Sequence, residues 1–158
     1  MNELKILSKN EAQTLQIGKT IASLLKKGDI VVLTGELGSG KTKLTEGILS
    51  YFNLQDEISS PTFTIVNEYI ANSTPIYHFD VYRLEDSSEF SEIGGEEYFE
   101  TGICIIEWGE IIQDSLPEDY IQISFERNLK NDNERILTIK TFGKKYDSYF
   151  KEEMFWKY

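Results

Sequence analysis

Residues Gly35-Glu36-Leu37-Gly38-Ser39-Gly40-Lys41-Thr42 fit the pattern G-x-x-x-x-G-K-[ST] at every fixed position. No other stretch restricts the fold as strongly. The apolar run Ile30-Val31-Val32-Leu33 precedes it and predicts a buried strand, and the residues from Lys41 through Leu49 predict a helix. Strand, glycine-rich loop and helix are the context in which this octet cradles phosphate. Gly35, Gly38 and Gly40 free the backbone for conformations closed to other residues, so that the N–H groups of the loop, Glu36, Leu37 and Ser39 included, form an anion nest at a helix N-terminus. Lys41 is then expected to reach the β- and γ-phosphates, and the Thr42 hydroxyl to ligate Mg²⁺.

The rest of the chain predicts a single domain over residues 1–158. Ser8, with Glu11 three residues on, reads as the cap of a first helix carrying Leu15, Ile17, Ile21, Leu24 and Leu25 and ending at Gly28. Phe63 to Ile70 and Ile76 to Tyr82 read as strands joined by a turn at Asn72, Ser73 and Pro75. Asp86 to Phe99 reads as helix in two pieces broken at Gly94-Gly95. Ile103 to Ile106 has no alternation, as in a strand buried on both faces. Ile121–Phe125 and Ile136–Thr141 are later strands, and Tyr146 to Trp156 a closing helix. Strands alternating with helices around such a loop predict a three-layer α/β P-loop NTPase fold, with a mainly parallel central sheet and helices on both faces. Ligands in such sheets sit beyond the carboxyl ends of the strands.

That rule selects the remaining candidates. Glu107 directly follows the buried run and is placed to face Mg²⁺ from the neighbouring strand. On Ile76–Tyr82, alternation sends Tyr77, Phe79 and Val81 inward and sets His78, Asp80 and Tyr82 on a polar face. Asp80 is the candidate there for holding Mg²⁺ through water or orienting the attacking water. Thr62, in Ser59-Ser60-Pro61-Thr62, lies where P-loop switches carry a hydroxyl that senses γ-phosphate and metal. His78 is the only histidine, which excludes a multi-histidine metal site.

A net charge of −11 without a basic cluster argues against direct, tight nucleic-acid binding. No apolar run has the length of a membrane helix, and the first residues lack the pattern of a signal peptide. With a single cysteine, Cys104, inside an apolar run, the expected location is the cytoplasm.

Four blocks in order, Gly35–Thr42, Ser60-Pro61-Thr62-Phe63-Thr64 with Asn67-Glu68-Tyr69, His78-Phe79-Asp80-Val81-Tyr82-Arg83-Leu84, and Ile106-Glu107-Trp108, resemble the TsaE (YjeE) family. The resemblance runs from about Ser8 to Leu137. It implies a cytosolic, Mg²⁺-dependent ATPase of tRNA threonylcarbamoyladenosine biosynthesis. Such a protein acts with the TsaB–TsaD pair, which modifies adenosine 37 of tRNAs reading codons that start with A, so tRNA is met only indirectly. By motif, the resemblance makes Lys41 a phosphate ligand, Thr42 and Glu107 metal ligands, and Asp80 a residue needed for hydrolysis, with Trp108 in the same patch. Glu11 and Arg135 become the candidates for adenine and ribose contacts. Gly109 stands where the family usually has Pro, and Ala12 where a Thr is common. The alternatives are a small-molecule P-loop kinase, which needs an arginine-bearing lid in a chain with only three arginines, and a nucleotide-binding module without hydrolysis. A GTPase is disfavoured, because no N-K-x-D or D-x-x-G motif occurs.

Overall fold

The structure, a computed structural model, describes residues 2–36, 38–56 and 65–155. In chain order the elements are β1 (Asn2–Ser8), α1 (Glu11–Ala22), β2 (Ile30–Gly35), α2 (Lys41–Tyr51), β3 (Val66–Ala71), β4 (Thr74–Asp80), α3 (Ser87–Glu92), β5 (Ile103–Glu107), β6 (Tyr120–Asn128) and β7 (Asn131–Phe142). Short 3₁₀ segments cover Gly95–Tyr98, Gly109–Ser115 and Glu152–Phe155.

The strands form one sheet in the order β1-β7-β6-β2-β5-β4-β3. The four central strands β6, β2, β5 and β4 are mutually parallel, and β1, antiparallel to β7, points the same way, so five of the seven strands share one direction. β7 and β3 run against them as the return arms of hairpins. The sheet is therefore mainly parallel in direction, although half of its six pairings are antiparallel.

Strand periodicity sorts the core into two layers. On one face, Val31, Leu33, Ile105 and Ile123 pack with Ile17 and Ile21 of α1 and Leu44 and Ile48 of α2. On the other, Ile30, Val32, Phe79 and Ile106 pack with Phe90 of α3, Phe99 and Ile112. β5 is buried at all five residues, as its unalternating sequence predicts.

Several local expectations are corrected. The chain opens with a strand, β1, paired along its length with β7. Ser8 ends that strand and is not the helix cap; its hydroxyl is shared with Thr14 at 2.6 Å. The cap of α1 is Asn10, whose Oδ1 accepts from the Gln13 N–H at 2.9 Å. That helix stops at Ala22, well before Gly28, which at φ +93° turns the chain into β2. The hairpin turn lies at Asn72 and Ser73, both at positive φ, while Pro75 is already within β4. Phe63 and Thr64 lie outside the described residues, and β3 is seen from Val66.

No α-helix forms from Tyr146 to Phe155, and Trp156 lies outside the described residues. Tyr146, Tyr149 and Phe150 are poor helix formers, and this stretch is held by side chains instead. The Ile30 N–H donates to the Tyr146 hydroxyl at 3.3 Å, and Lys145 pairs with buried Asp29 at 3.2 Å. The aromatic residues do cover the core, as expected: Tyr146 and Phe155 join the α1/α2 layer.

Candidate functional site

The central parallel strands deliver three loops to one edge of the sheet. β2 ends at Gly35, β5 at Glu107 and β4 at Asp80. The register sets Leu33 beside Glu107 and Glu107 beside Asp80. Glu107 and Asp80 have the parity of Ile105 and Ile76, which belong to the α1/α2 layer, so both carboxylates lie on the face that carries α2. Strand order and side-chain parity thus bring together residues 27 positions apart (107 − 80).

The loop into α2 needs its glycines. Gly35, Gly38 and Gly40 have φ of +141°, +76° and +114°. Gly40 caps α2 with no side-chain hydrogen bond, and the Leu44 N–H closes the first helical bond onto the Gly40 carbonyl at 3.0 Å. The donors before Leu44 in the first turn therefore have no intrahelical acceptor and carry the positive end of the helix dipole. The Ser39 hydroxyl is buried in this loop without a partner among the described residues.

Lys41 is buried at 5% exposure. Its ammonium donates to the carbonyls of Gly35 at 2.5 Å and Glu36 at 2.9 Å, and it lies 3.9 Å from the centre of the Trp108 ring. Burial lowers its pKa, while Glu107, Glu110 and Asp80 pull it back up. Three carboxylates therefore act on one buried cation at the mouth of the loop. Thr42 follows it in the first turn of α2 and is exposed.

Glu107 is itself buried, at 6% exposure, and its Oε2 lies 2.5 Å from Nε2 of His78, which is 4% exposed. This corrects the expectation that alternation sends only Tyr77, Phe79 and Val81 inward, with His78, Asp80 and Tyr82 on a polar face opposite. β4 is an internal strand covered on both sides, so His78 is buried, Asp80 half-buried, and only Tyr82, beyond the strand, is exposed. Asp80 accepts from the Tyr82 N–H at 3.1 Å.

Glu110 was not singled out by sequence reasoning. It belongs to the 3₁₀ segment after Trp108, and although exposed as a residue its carboxyl pKa is pushed up by surrounding protein. Its own backbone N–H, Lys41 and the Gly35 N–H oppose that rise. The only available signal was its position three residues after a strand-end acid.

Glu11 and Arg135 line one cavity of about 150 Å³ beside the loop, together with Asn10, Gly38, Gly40 and Lys43. Glu11 is 4.0 Å from Lys43, and Arg135 donates to the Asp132 and Glu134 carbonyls. Arg127, at the end of β6, donates to the Gly38 carbonyl at 3.3 Å. Leu37 and Thr62 lie outside the described residues.

Comparisons with known proteins identify the family. The family model "Threonylcarbamoyl adenosine biosynthesis protein TsaE" matches residues 8–137. The chain is 40% identical to the Bacillus subtilis tRNA threonylcarbamoyladenosine biosynthesis protein TsaE over 148 residues, 93% of this chain and 91% of that one. It is 40% identical to the Treponema pallidum TsaE over 84% of this chain and 98% of that one. Its fold matches the crystal structure of Bacillus subtilis YdiB with a TM-score of 0.79 at 35% identity, over 97% of this chain and 94% of that one. Matched by that family model over most of its length, and 40% identical to relatives of nearly equal length, the chain belongs to the TsaE family of tRNA threonylcarbamoyladenosine biosynthesis.

Proposed function

We propose that this protein is a Mg²⁺-dependent ATPase that serves the TsaB–TsaD threonylcarbamoyl transferase. The observation that carries the reading is the register that sets Asp80 beside Glu107 at the strand ends, next to the loop whose buried Lys41 ammonium lies over the ring of Trp108, the residue after Glu107. A site that only held nucleotide would need the loop and the lysine; strand-end acids add the means to hold a metal and a water.

The donor set suits Mg²⁺. Thr42, Asp80 and Glu107 offer oxygens only, and Mg²⁺ is commonly held by one or two carboxylates together with substrate phosphates. Among the described residues no group of three or more His, Cys, Asp and Glu could hold a metal ion by itself, so the phosphates would have to complete the shell. Thr42 and Glu107 would hold the ion, with Asp80 placed to orient water or a metal-bound water. When bound, Mg²⁺ neutralises phosphate charge. The remaining work belongs to the chain. The first-turn N–H groups of α2 bind phosphate oxygens, and the unpartnered Ser39 hydroxyl lies in that loop. Lys41 exchanges its two carbonyl acceptors for phosphate oxygens. Glu11 and Arg135 line the small cavity beside the loop and are the candidates for the nucleoside contacts.

Turnover by the protein alone should be slow. Arg127 and Arg135 are engaged with backbone carbonyls, and Arg83 is exposed beyond Asp80. P-loop enzymes without an arginine at the transferred phosphate gain about 10³–10⁵ when a partner completes the site. The same lack of an arginine lid disfavours the kinase reading. This reading sets the protein in the cytoplasm, with protein partners and no tight tRNA contact of its own. No helix among the described residues is long and apolar enough to cross a membrane.

The test is ATP hydrolysis by wild type, Lys41→Ala, Asp80→Ala and Glu107→Ala, each with and without a TsaB–TsaD pair. Wild type should be slow alone and faster with the pair, Lys41→Ala should be inactive, and both acid variants should lose most turnover while still binding nucleotide by calorimetry. Equal hydrolysis by wild type and Lys41→Ala would defeat the site assignment, and fast turnover indifferent to the pair would defeat the accessory role.

A further inference from the structure

We propose that His78 is a positioning residue for Glu107, holding one carboxylate oxygen so that the other is presented to the metal–nucleotide complex. The inference rests on the ATPase reading above and adds a residue whose part in it is separate from phosphate binding.

The two side chains come from neighbouring parallel strands and the same face of the sheet, with His78 opposite Ile105 and Asp80 opposite Glu107. His78 Nε2 and Glu107 Oε2 are 2.5 Å apart, and both residues are almost fully buried. When Glu107 serves a metal as a carboxylate it can only accept, and the imidazole then donates from Nε2. Oε2 is thereby engaged, and Oε1 is the oxygen left for a ligand. His78 Nδ1 is buried with no partner among the described residues. The hydrogen bond to Glu107 is thus the one polar contact of the His78 ring among those residues. Its strand neighbours on that face include Ile76 and Ile105, so an aliphatic side chain would satisfy the packing without leaving a buried nitrogen unpaired. A local rule broken at one point, beside a strand-end acid, marks a functional position more often than a structural one. Outer hydrogen bonds of this kind orient metal-binding groups, and losing them costs roughly 10–100-fold in metal affinity.

The experiment compares wild type, His78→Leu and His78→Gln. Gln keeps an N–H donor near the place of Nε2; Leu fills space and donates nothing. Mn²⁺ binding to the protein–ADP complex is followed by the paramagnetic resonance of free Mn²⁺, metal-free ADP affinity by calorimetry, and fold by the melting temperature without ligand. His78→Leu should weaken Mn²⁺ binding roughly ten-fold or more, with metal-free ADP affinity held and a lowered but still cooperative melting transition, since the buried Glu107 carboxylate loses its donor. His78→Gln should stay close to wild type. Unchanged Mn²⁺ affinity in His78→Leu overturns the proposal, and so does an equal loss in both variants, since ring volume would then be what matters. If His78→Leu does not fold, His78→Asn replaces it. Its shorter amide falls short of Oε2, so the proposal requires weakened Mn²⁺ binding for Asn alone, and equal affinities in Asn and Gln overturn it. Wild type that binds no Mn²⁺ with ADP, or Lys41→Ala that binds ADP like wild type, overturns the ATPase reading itself; intact wild-type binding with indifferent variants overturns only the role of His78.

Discussion

At the residue scale, Lys41 and Trp108 report on each other. The Lys41 ammonium lies over the Trp108 ring, Tyr82 packs against that ring at 4.8 Å between centroids, and Trp108 takes a left-handed φ of +66°. A non-glycine residue in that region costs about 1–3 kcal/mol, so the ring is held where the turn after β5 puts it. Phosphate arriving in the loop competes with the ring and the two carbonyls for the ammonium. The emission of Trp108 should therefore change on saturation with Mg²⁺·ATP, measured in a Trp156→Phe background so that one tryptophan remains. Lys41→Ala should show a shifted starting spectrum and no further change with ligand. Constant wild-type emission at a concentration that calorimetry finds saturating would refute the coupling. Lys41, Thr42 and Glu107 were legible in sequence because a motif and a strand end fix their places. The His78–Glu107 pair was not, since it depends on which strands are neighbours. Nor was the upward pull of Glu110 on the Lys41 pKa, which depends on the tight turn after β5.

At the scale of elements, α1 and α2 cross at two glycines. A Cβ on Gly18 would come within 2.6 Å of the Leu44 carbonyl oxygen, and one on Gly47 within 2.2 Å of the Leu15 carbonyl oxygen. Both obstacles are backbone, so neither can swing aside. Gly47→Ala sets two effects against each other. Alanine gains about 1 kcal/mol of helix propensity over glycine, whereas forcing extra atoms into a close-packed contact costs about 1–3 kcal/mol and sometimes more. With a backbone oxygen this near, the clash should win, and the urea midpoint of Gly47→Ala should fall; an unchanged or raised midpoint would mean the helices can separate at little cost. This crossing also sets where α2 begins, so the variant should weaken nucleotide binding as well. The sequence made the β2–loop–α2 unit and β5 legible through motif and unbroken apolarity. It hid β1, whose residues Glu3, Leu4, Lys5 and Ile6 alternate only briefly and become a strand by pairing with β7. It also misplaced the start of α1, because Ser8 and Asn10 are both good caps and only the end of β1 at Ser8 decides between them.

At the scale of the whole molecule, burial links stability to alkaline pH. Cys104 is the second residue of β5 and has no exposure, and burial pushes its thiol up from 9.0 to about 12. Burial, with help from Asp29, pushes Tyr149 up from 10.0 to about 12, and burial raises Tyr146, Tyr120 and Tyr98 as well. Each is an acid that the folded state keeps protonated. Above the ordinary pKa of each group the unfolded chain has released its proton and the folded chain has not, so the unfolded state binds fewer protons and stability falls as pH rises. The loss should begin near pH 9 through Cys104, steepen near pH 10 as the tyrosines join, and continue to about pH 12. One pH unit above its unfolded pKa, Cys104 alone would remove about 1.4 kcal/mol, a noticeable part of the roughly 5–15 kcal/mol that holds a domain folded. Urea unfolding from pH 7 to pH 11 should give midpoints that are level up to about pH 9 and then decline. In Cys104→Ala the decline should start about one unit later, because the first remaining groups are tyrosines of ordinary pKa 10.0. The native protein should also resist a thiol reagent at pH 8 and react once unfolded in urea. Midpoints that stay level to pH 11, or a native thiol that reacts at the rate of a free cysteine, would show that β5 opens to solvent and that the sheet's centre is not the closed layer on which the site depends.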